Sequence, residues 1–295
     1  MKGRLPTSVF LFFLGSSLAG FSVAQNVDSS NLIQHIVSSN ITNQDYRLFV
    51  VMPEKYNASS EETYDVVYVL DINSEDSAQL VQFQRTFTKL PNIPEFILVG
   101  IGFSPDEEHR GLRTAHFSPS RDEEIDTEIL ALYPMLSMSE NARNWQTGKA
   151  REFANVLSTE IIPYVEANFV ASDTNTVMGA SLAGLFLAVV LFEQPDMFEN
   201  YVITSPSVWW NGFELFENTD LLNRKDLQGK VYLSVGGLEN SEMLESYNRL
   251  SNALRENDSA ELIFTNEVID NQTHLSVIPI SYMNGLNYIF SGSSD

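Results

Sequence analysis

A chain of 295 residues, 43% of them hydrophobic, is long enough for one large domain with a substantial core. Its formal net charge of −22, from 17 Lys and Arg against 39 Asp and Glu, repels phosphate backbones and excludes nucleic acid as an expected partner. Cysteine is absent, which excludes disulfides, a thiol nucleophile and thiolate metal sites, and leaves the core alone to stabilise the fold.

Taken in chain order, the N-terminus reads as an export signal. Lys2 and Arg4 precede the apolar run Val9 to Leu14, and Ser22-Val23-Ala24 offers small residues for cleavage before Gln25. The expectation is a signal peptide over 1–24 and a single domain over 25–295, delivered to the periplasm or secreted. The apolar run is short for a membrane span, so no stable span is expected after cleavage. Loss of Lys2 and Arg4 would leave the mature chain more acidic still.

A first strand is expected at Ile33 to Val37 and a second, alternating one at Tyr46 to Met52, stopped by Pro53. Asp65 to Leu70 (DVVYVL) and Phe96 to Gly102 (FILVGIG) are continuous apolar runs, the pattern of central strands buried on both faces. Ser77 to Leu90 between them can form a helix, ended by Pro91. Residues 104–146 are rich in Asp, Glu, Ser and Pro, with an acidic cluster at Asp122 to Glu128. They read as an inserted excursion, either a solvated surface insertion or a lid above the carboxyl ends of the strands. Ala150 to Phe169 spaces Phe153, Val156, Leu157, Ile161, Tyr164 and Val165 to bury one helical face, with Pro163 kinking or restarting the helix. A strand at Thr174 to Met178 leads into the buried helical run Leu185 to Phe192. Strands follow at Asn200 to Thr204, Val231 to Val235 and Leu262 to Val268, and helices at Ser241 to Arg255 and Pro279 to Phe290. The alternation specifies an α/β class, one three-layer domain around a largely parallel sheet.

Between the Thr174 strand and the Leu185 helix lies Gly179-Ala180-Ser181-Leu182-Ala183-Gly184. A serine among small residues at a strand-to-helix turn is the context of a nucleophile elbow. The string proves little alone, because Gly15-Ser16-Ser17-Leu18-Ala19-Gly20 nearly repeats it inside the export segment. A serine hydroxyl needs a base, and the base an orienting acid, in the chain order Ser, Asp or Glu, His. Of four histidines (His35, His109, His116 and His274) only His274 follows Ser181, in a polar loop between the last strand and the last helix. Glu239 stands just past the end of the Val231 strand and is the favoured acid. Glu242 and Asp270 are the other carboxylates at that end, and a Ser–His dyad without an acid is the remaining option. The oxyanion donors are expected to be the backbone amides of Leu182 and of Ile72 or Asn73, after the DVVYVL strand. Trp209-Trp210 follows a Ser-Pro turn at a strand end and can be an aromatic wall for substrate or core packing. His109 and His116 have acidic neighbours but no metal-ligand spacing, so neither a metal site nor a cofactor is expected.

These residues resemble the esterase D-like family of α/β hydrolases, which includes trilactone-siderophore (enterobactin-type) esterases. The resemblance covers residues 33–290. It is carried by Val69-Leu70-Asp71, Val99-Gly100-Ile101-Gly102, Glu160-Ile161-Ile162-Pro163-Tyr164-Val165-Glu166, Ser205-Pro206-Ser207-Val208-Trp209-Trp210, and His274 with Ser276-Val277-Ile278-Pro279. It implies the α/β-hydrolase fold, Ser181 as nucleophile, His274 as base and an acid near Glu239. Departures from the family pattern are Ile72 for glycine, Ala180 for histidine, Ala183 for glycine and His116 for aspartate, while Arg113 is kept and is a candidate for binding a polar or acidic substrate group. The expectation is an exported serine hydrolase that cleaves a small-molecule carboxylic ester through an acyl-enzyme. Alternatives are a siderophore-lactone esterase, an acyltransferase, or a non-catalytic binding module that keeps the fold.

Overall fold

The computed structural model describes residues 31–90, 93–104, 109–132 and 146–291. Residues 1–24, expected to form an export signal, together with Pro91 and stretches 105–108 and 133–145 of the excursion, lie outside the described residues. Eight strands form one sheet in the order β1-β2-β4-β3-β5-β6-β7-β8. They are β1 (Leu32–Ser38), β2 (Asp45–Val51), β3 (Tyr64–Leu70), β4 (Phe96–Ser104), β5 (Ala171–Ala180), β6 (Asn200–Thr204), β7 (Gln228–Gly236) and β8 (Glu261–Ile269). β2 runs antiparallel to both β1 and β4, and every other pairing is parallel.

The apolar runs explain the layering. In β3, Val66, Tyr68 and Leu70 face one core while Val67 and Val69 face the other. Both faces must therefore be covered. α1 (Ser77–Phe87) and α10 (Val277–Phe290) cover one, through Leu80, Val81 and Phe87 and through Leu286, Ile289 and Phe290. The other is covered by α2 (His109–Phe117), α4 (Ala150–Val156), α6 (Leu182–Glu193) and α9 (Ser241–Glu256). α3 (Glu123–Leu132) adds Ile125 to that second core. α5 (Ile162–Asn168) continues α4 through a π-type turn, Leu157–Ile161, in which the Ile162 amide reaches the Leu157 carbonyl. The widened turn sits beside Pro163, whose ring nitrogen carries no hydrogen to continue the ladder. The short helices α7 (Trp210–Phe213) and α8 (Thr219–Leu222) lie between β6 and β7.

The excursion is not uniformly a surface feature. α2 packs against α4 and α6, and its Leu112, Ala115, His116 and Phe117 are buried. Its charged residues conceal this in the sequence. His116 is a core residue, with its ring against Tyr46, Phe103 and Phe153 and Nδ1 2.9 Å from the Leu112 carbonyl. Burial pushes its pKa down to about 4, so the imidazole is neutral at pH 7.

One glycine of the FILVGIG strand shapes the site directly. A Cβ on Gly102 would overlap the carbonyl oxygen of Ile72, in the loop that follows β3. Gly102→Ala is expected to cost about 2 kcal/mol by overpacking, read from urea unfolding. A variant as stable as the parent would show that the loop moves freely.

Candidate active site

Ser181 stands between β5 and α6 with φ 58° and ψ −119°, outside the ordinary regions for a residue with a side chain. Backbone bonds hold it there. Its amide donates to the Thr204 carbonyl at 3.0 Å, and its carbonyl accepts from the amides of Leu185 (2.9 Å) and Ser207 (3.0 Å). The close approach of strand and helix depends on Gly179, where a Cβ would meet the Ala183 backbone at 3.0 Å. It depends equally on Gly184, packed on Thr204 and Pro206. Ala183 itself is buried without disturbing the turn, so the departure from glycine there is accommodated.

Glu239 and His274 meet. The loop after β7 is joined to the end of β8 and the loop after it by two backbone hydrogen bonds, the Gly237 amide donating to the Ile269 carbonyl and the Leu238 amide to the Gln272 carbonyl, each 2.9 Å. His274 Nδ1 donates to Glu239 Oε2 at 2.6 Å, with the histidine side chain 17% exposed and the carboxylate 1%. The second carboxylate oxygen, Oε1, accepts from Ser205 Oγ (2.5 Å) and from the Gly236 amide (2.9 Å). Burial pushes the Glu239 carboxyl up, but the hydrogen bonds from His274 and Ser205, the His274 charge and the Gly236 amide outweigh it and hold it below the usual range. Glu242 stays in the first turn of α9, whose N-cap is Asn240, accepting from the Met243 amide. The Ser181 hydroxyl bonds to Ser207 Oγ at 3.3 Å rather than to His274 among the described contacts. Catalytic hydrogen bonds are often loose until substrate arrives.

The expected oxyanion donors divide. Leu182 is the first residue of α6, where helix geometry provides no intrahelical acceptor for its amide. Ile72 is excluded, because its amide donates to the Ile101 carbonyl at 3.1 Å. The Asn73 amide makes a long bond of 3.4 Å to Asp76 Oδ2. The residue before this pair is Asp71, at φ 71°. Its carboxylate takes the Arg113 guanidinium through Nε (2.9 and 2.8 Å) and Nη2 (2.6 Å), and His109 Nε2 lies 2.9 Å from Oδ1.

Two sequence assignments change accordingly. Arg113, expected to meet a substrate group, is committed to Asp71 and holds the loop after β3. Trp210 is 1% exposed, and its indole N–H donates to the Ser120 carbonyl at 3.3 Å, so it is core rather than wall. Trp209 remains partly exposed and packs against that core. Sequence reasoning missed Ser205 and Ser207 as site contacts. Their Ser-Pro-Ser segment was legible as a motif, but what its hydroxyls touch was not. Among the described residues, no group of three or more His, Cys, Asp or Glu can hold a metal ion, and no helix is long and apolar enough to cross a membrane.

Comparison with known proteins bears on this geometry. The ferri-bacillibactin esterase BesA of Bacillus subtilis is 26% identical over 268 residues, which span 86% of this chain and 87% of the relative. The siderophore enterobactin esterase of Emericella nidulans is 22% identical over 240 residues, 75% of this chain and 77% of the relative. Among solved structures, the BES protein from Bacillus cereus matches with a TM-score of 0.72 at 28% identity, covering 90% of this chain and 98% of its own. Residues 39–274 match the family described as "Putative esterase". That match spans the sheet from β2 onward, the Ser181 elbow and His274, and the chain therefore belongs to this esterase family and has the α/β-hydrolase fold.

Proposed function

We propose that this chain is an exported serine esterase working through an acyl-enzyme. The Ser181 oxygen attacks the ester carbonyl carbon while His274 Nε2 takes the hydroxyl proton. The C–O bond to the alcohol then breaks, and His274 returns that proton to the leaving oxygen. Water attacks the acyl-Ser181 ester with His274 again accepting a proton, the acid departs, and the serine is restored. Glu239 orients the imidazole and stabilises its charged form. The Leu182 amide faces the developing oxyanion, with Asn73 as the second donor once its long bond to Asp76 gives way. The observation that carries this reading is the 2.6 Å bond between Glu239 and His274, on loops joined to the end of the sheet where Ser181 stands. It favours a triad over a dyad.

A narrower reading concerns substrate. Relatives named for ferri-bacillibactin and enterobactin point to a siderophore lactone. The net charge of −22, and the engagement of Arg113 by Asp71, favour the uncharged lactone over an anionic ferric complex. Residues 1–24 would direct the mature enzyme to the periplasm or the medium, which fractionation of expressing cells tests. For the reaction itself, a fluorophosphonate probe should label the parent enzyme and leave Ser181→Ala unlabelled. Absence of serine-dependent labelling, together with no hydrolysis of short esters or lactones, would leave a non-catalytic binding module. Faster acyl transfer to an added alcohol than to water would make the chain an acyltransferase.

A further inference from the structure

Ser205 is the residue whose geometry the triad does not explain. It is fully buried and has φ 44°, a left-handed conformation that costs a serine energy and a glycine none. It cannot relax, because its amide donates to the Ser234 carbonyl at 2.7 Å. Both neighbouring strand ends are pinned as well. Thr204 Oγ1 and Ser234 Oγ each lie 2.5 Å from Ser281 Oγ on α10. The strained backbone aims the Ser205 hydroxyl at Glu239 Oε1, at 2.5 Å. A carboxylate bonded only through Oε2 to His274 could rotate about its own axis. Two donors on Oε1, Ser205 Oγ and the Gly236 amide, remove that freedom. Two residues further on, the same turn delivers the Ser207 amide to the Ser181 carbonyl and the Ser207 hydroxyl to Ser181 Oγ.

We propose that Ser205 is a fourth member of the catalytic relay, a positioning residue that fixes Glu239 against His274, and that the Ser205-Pro206-Ser207 turn ties the acid to the nucleophile. This rests on the assignment of Ser181, His274 and Glu239 above. The strain at Ser205 is retained because it places the hydroxyl. An O–H dipole with its hydrogen toward the carboxylate disfavours adding a proton to the Glu239–His274 pair. His274 is the titratable group that acts on Glu239 within this cluster. Removing the hydroxyl therefore raises the pH at which the pair takes up a proton.

The test is hydrolysis of p-nitrophenyl acetate by the parent, Ser205→Ala, Ser205→Gly and Ser181→Ala, followed between about pH 5 and 9. Ser205→Ala is expected to lower kcat roughly tenfold, with KM little changed, and to move the acid limb of kcat/KM to higher pH. Ser205→Gly should show the same loss with a melting temperature above that of Ser205→Ala, because both lack the hydroxyl and glycine alone relieves the left-handed strain. A folded Ser205→Ala or Ser205→Gly that keeps the parental kcat overturns the proposal. So does a fall in kcat with the acid limb unmoved, which would mark a purely structural role. Ser181→Ala separates the two levels. Turnover that survives it defeats the assignment of the site, whereas a dead Ser181→Ala beside unaffected Ser205 variants defeats the fourth member alone.

Discussion

Alanine at Ser181 is expected to lower kcat on short-chain esters by about 10⁴-fold or more, and combining it with His274→Ala is expected to cost almost nothing further. The reason is mechanistic coupling. In the proposed mechanism, His274 has no proton to take once the Ser181 hydroxyl is gone, and the hydroxyl is a poor nucleophile once the imidazole is gone. On the same proposal, what survives in either variant is the Leu182 amide, the proposed oxyanion donor, which would still polarise a bound carbonyl. Steady-state kinetics on the two single variants and the double variant check this. Losses that multiply would mean that the two residues act independently, and the triad reading would fail with them.

Asp71→Asn carries the largest expected effect on stability, a loss of about 3 kcal/mol. The substitution keeps the shape and tolerates φ 71°, but leaves the Arg113 guanidinium, only 16% exposed, facing an uncharged amide. In the parent, burial pushes the Asp71 carboxyl up, but the Arg113 charge and the bonds from His109 and Arg113 outweigh it. They hold the carboxyl far below the usual range. A carboxyl depressed in the folded state stabilises it fully above the unfolded value of about 4, and that stabilisation drains away as pH falls below it. Urea unfolding should therefore separate parent from variant at neutral pH, with the two converging in acid. Equal stability at pH 7 would show that the pair contributes nothing. The Asn73 amide follows Asp71 by two residues, so kcat should fall in the same variant.

Most of the frame is legible in the sequence because its signals are local. DVVYVL and FILVGIG announce strands with two buried faces, and Gly179 and Gly184 bracket a serine where strand and helix must nearly touch. Glu239 and His274 are legible from their places after late strands. The misassignments share a cause, since each depends on a contact across the fold. The Ile72 amide is taken by Ile101, a pairing set by where β4 lies against the loop after β3. Arg113 and His109 give α2 a polar composition, yet that polarity is spent on Asp71. Trp210 follows an aperiodic turn, where no spacing distinguishes wall from core. Ser205 is invisible for a similar reason, because its role lies in one backbone angle and one hydroxyl contact.

α6 has a consequence for how this enzyme comes into being. Every residue from Leu182 to Phe192 is buried, so the helix has no face suited to water. Its strand, β5, pairs with β3 across the whole stretch of chain that makes α1, β4 and α2 to α5. The helix that begins beside Ser181 cannot persist until those distant pieces have assembled around it. Esterase activity thus belongs to the finished molecule, and a half-folded chain presents in its place one of the most adhesive segments of the sequence.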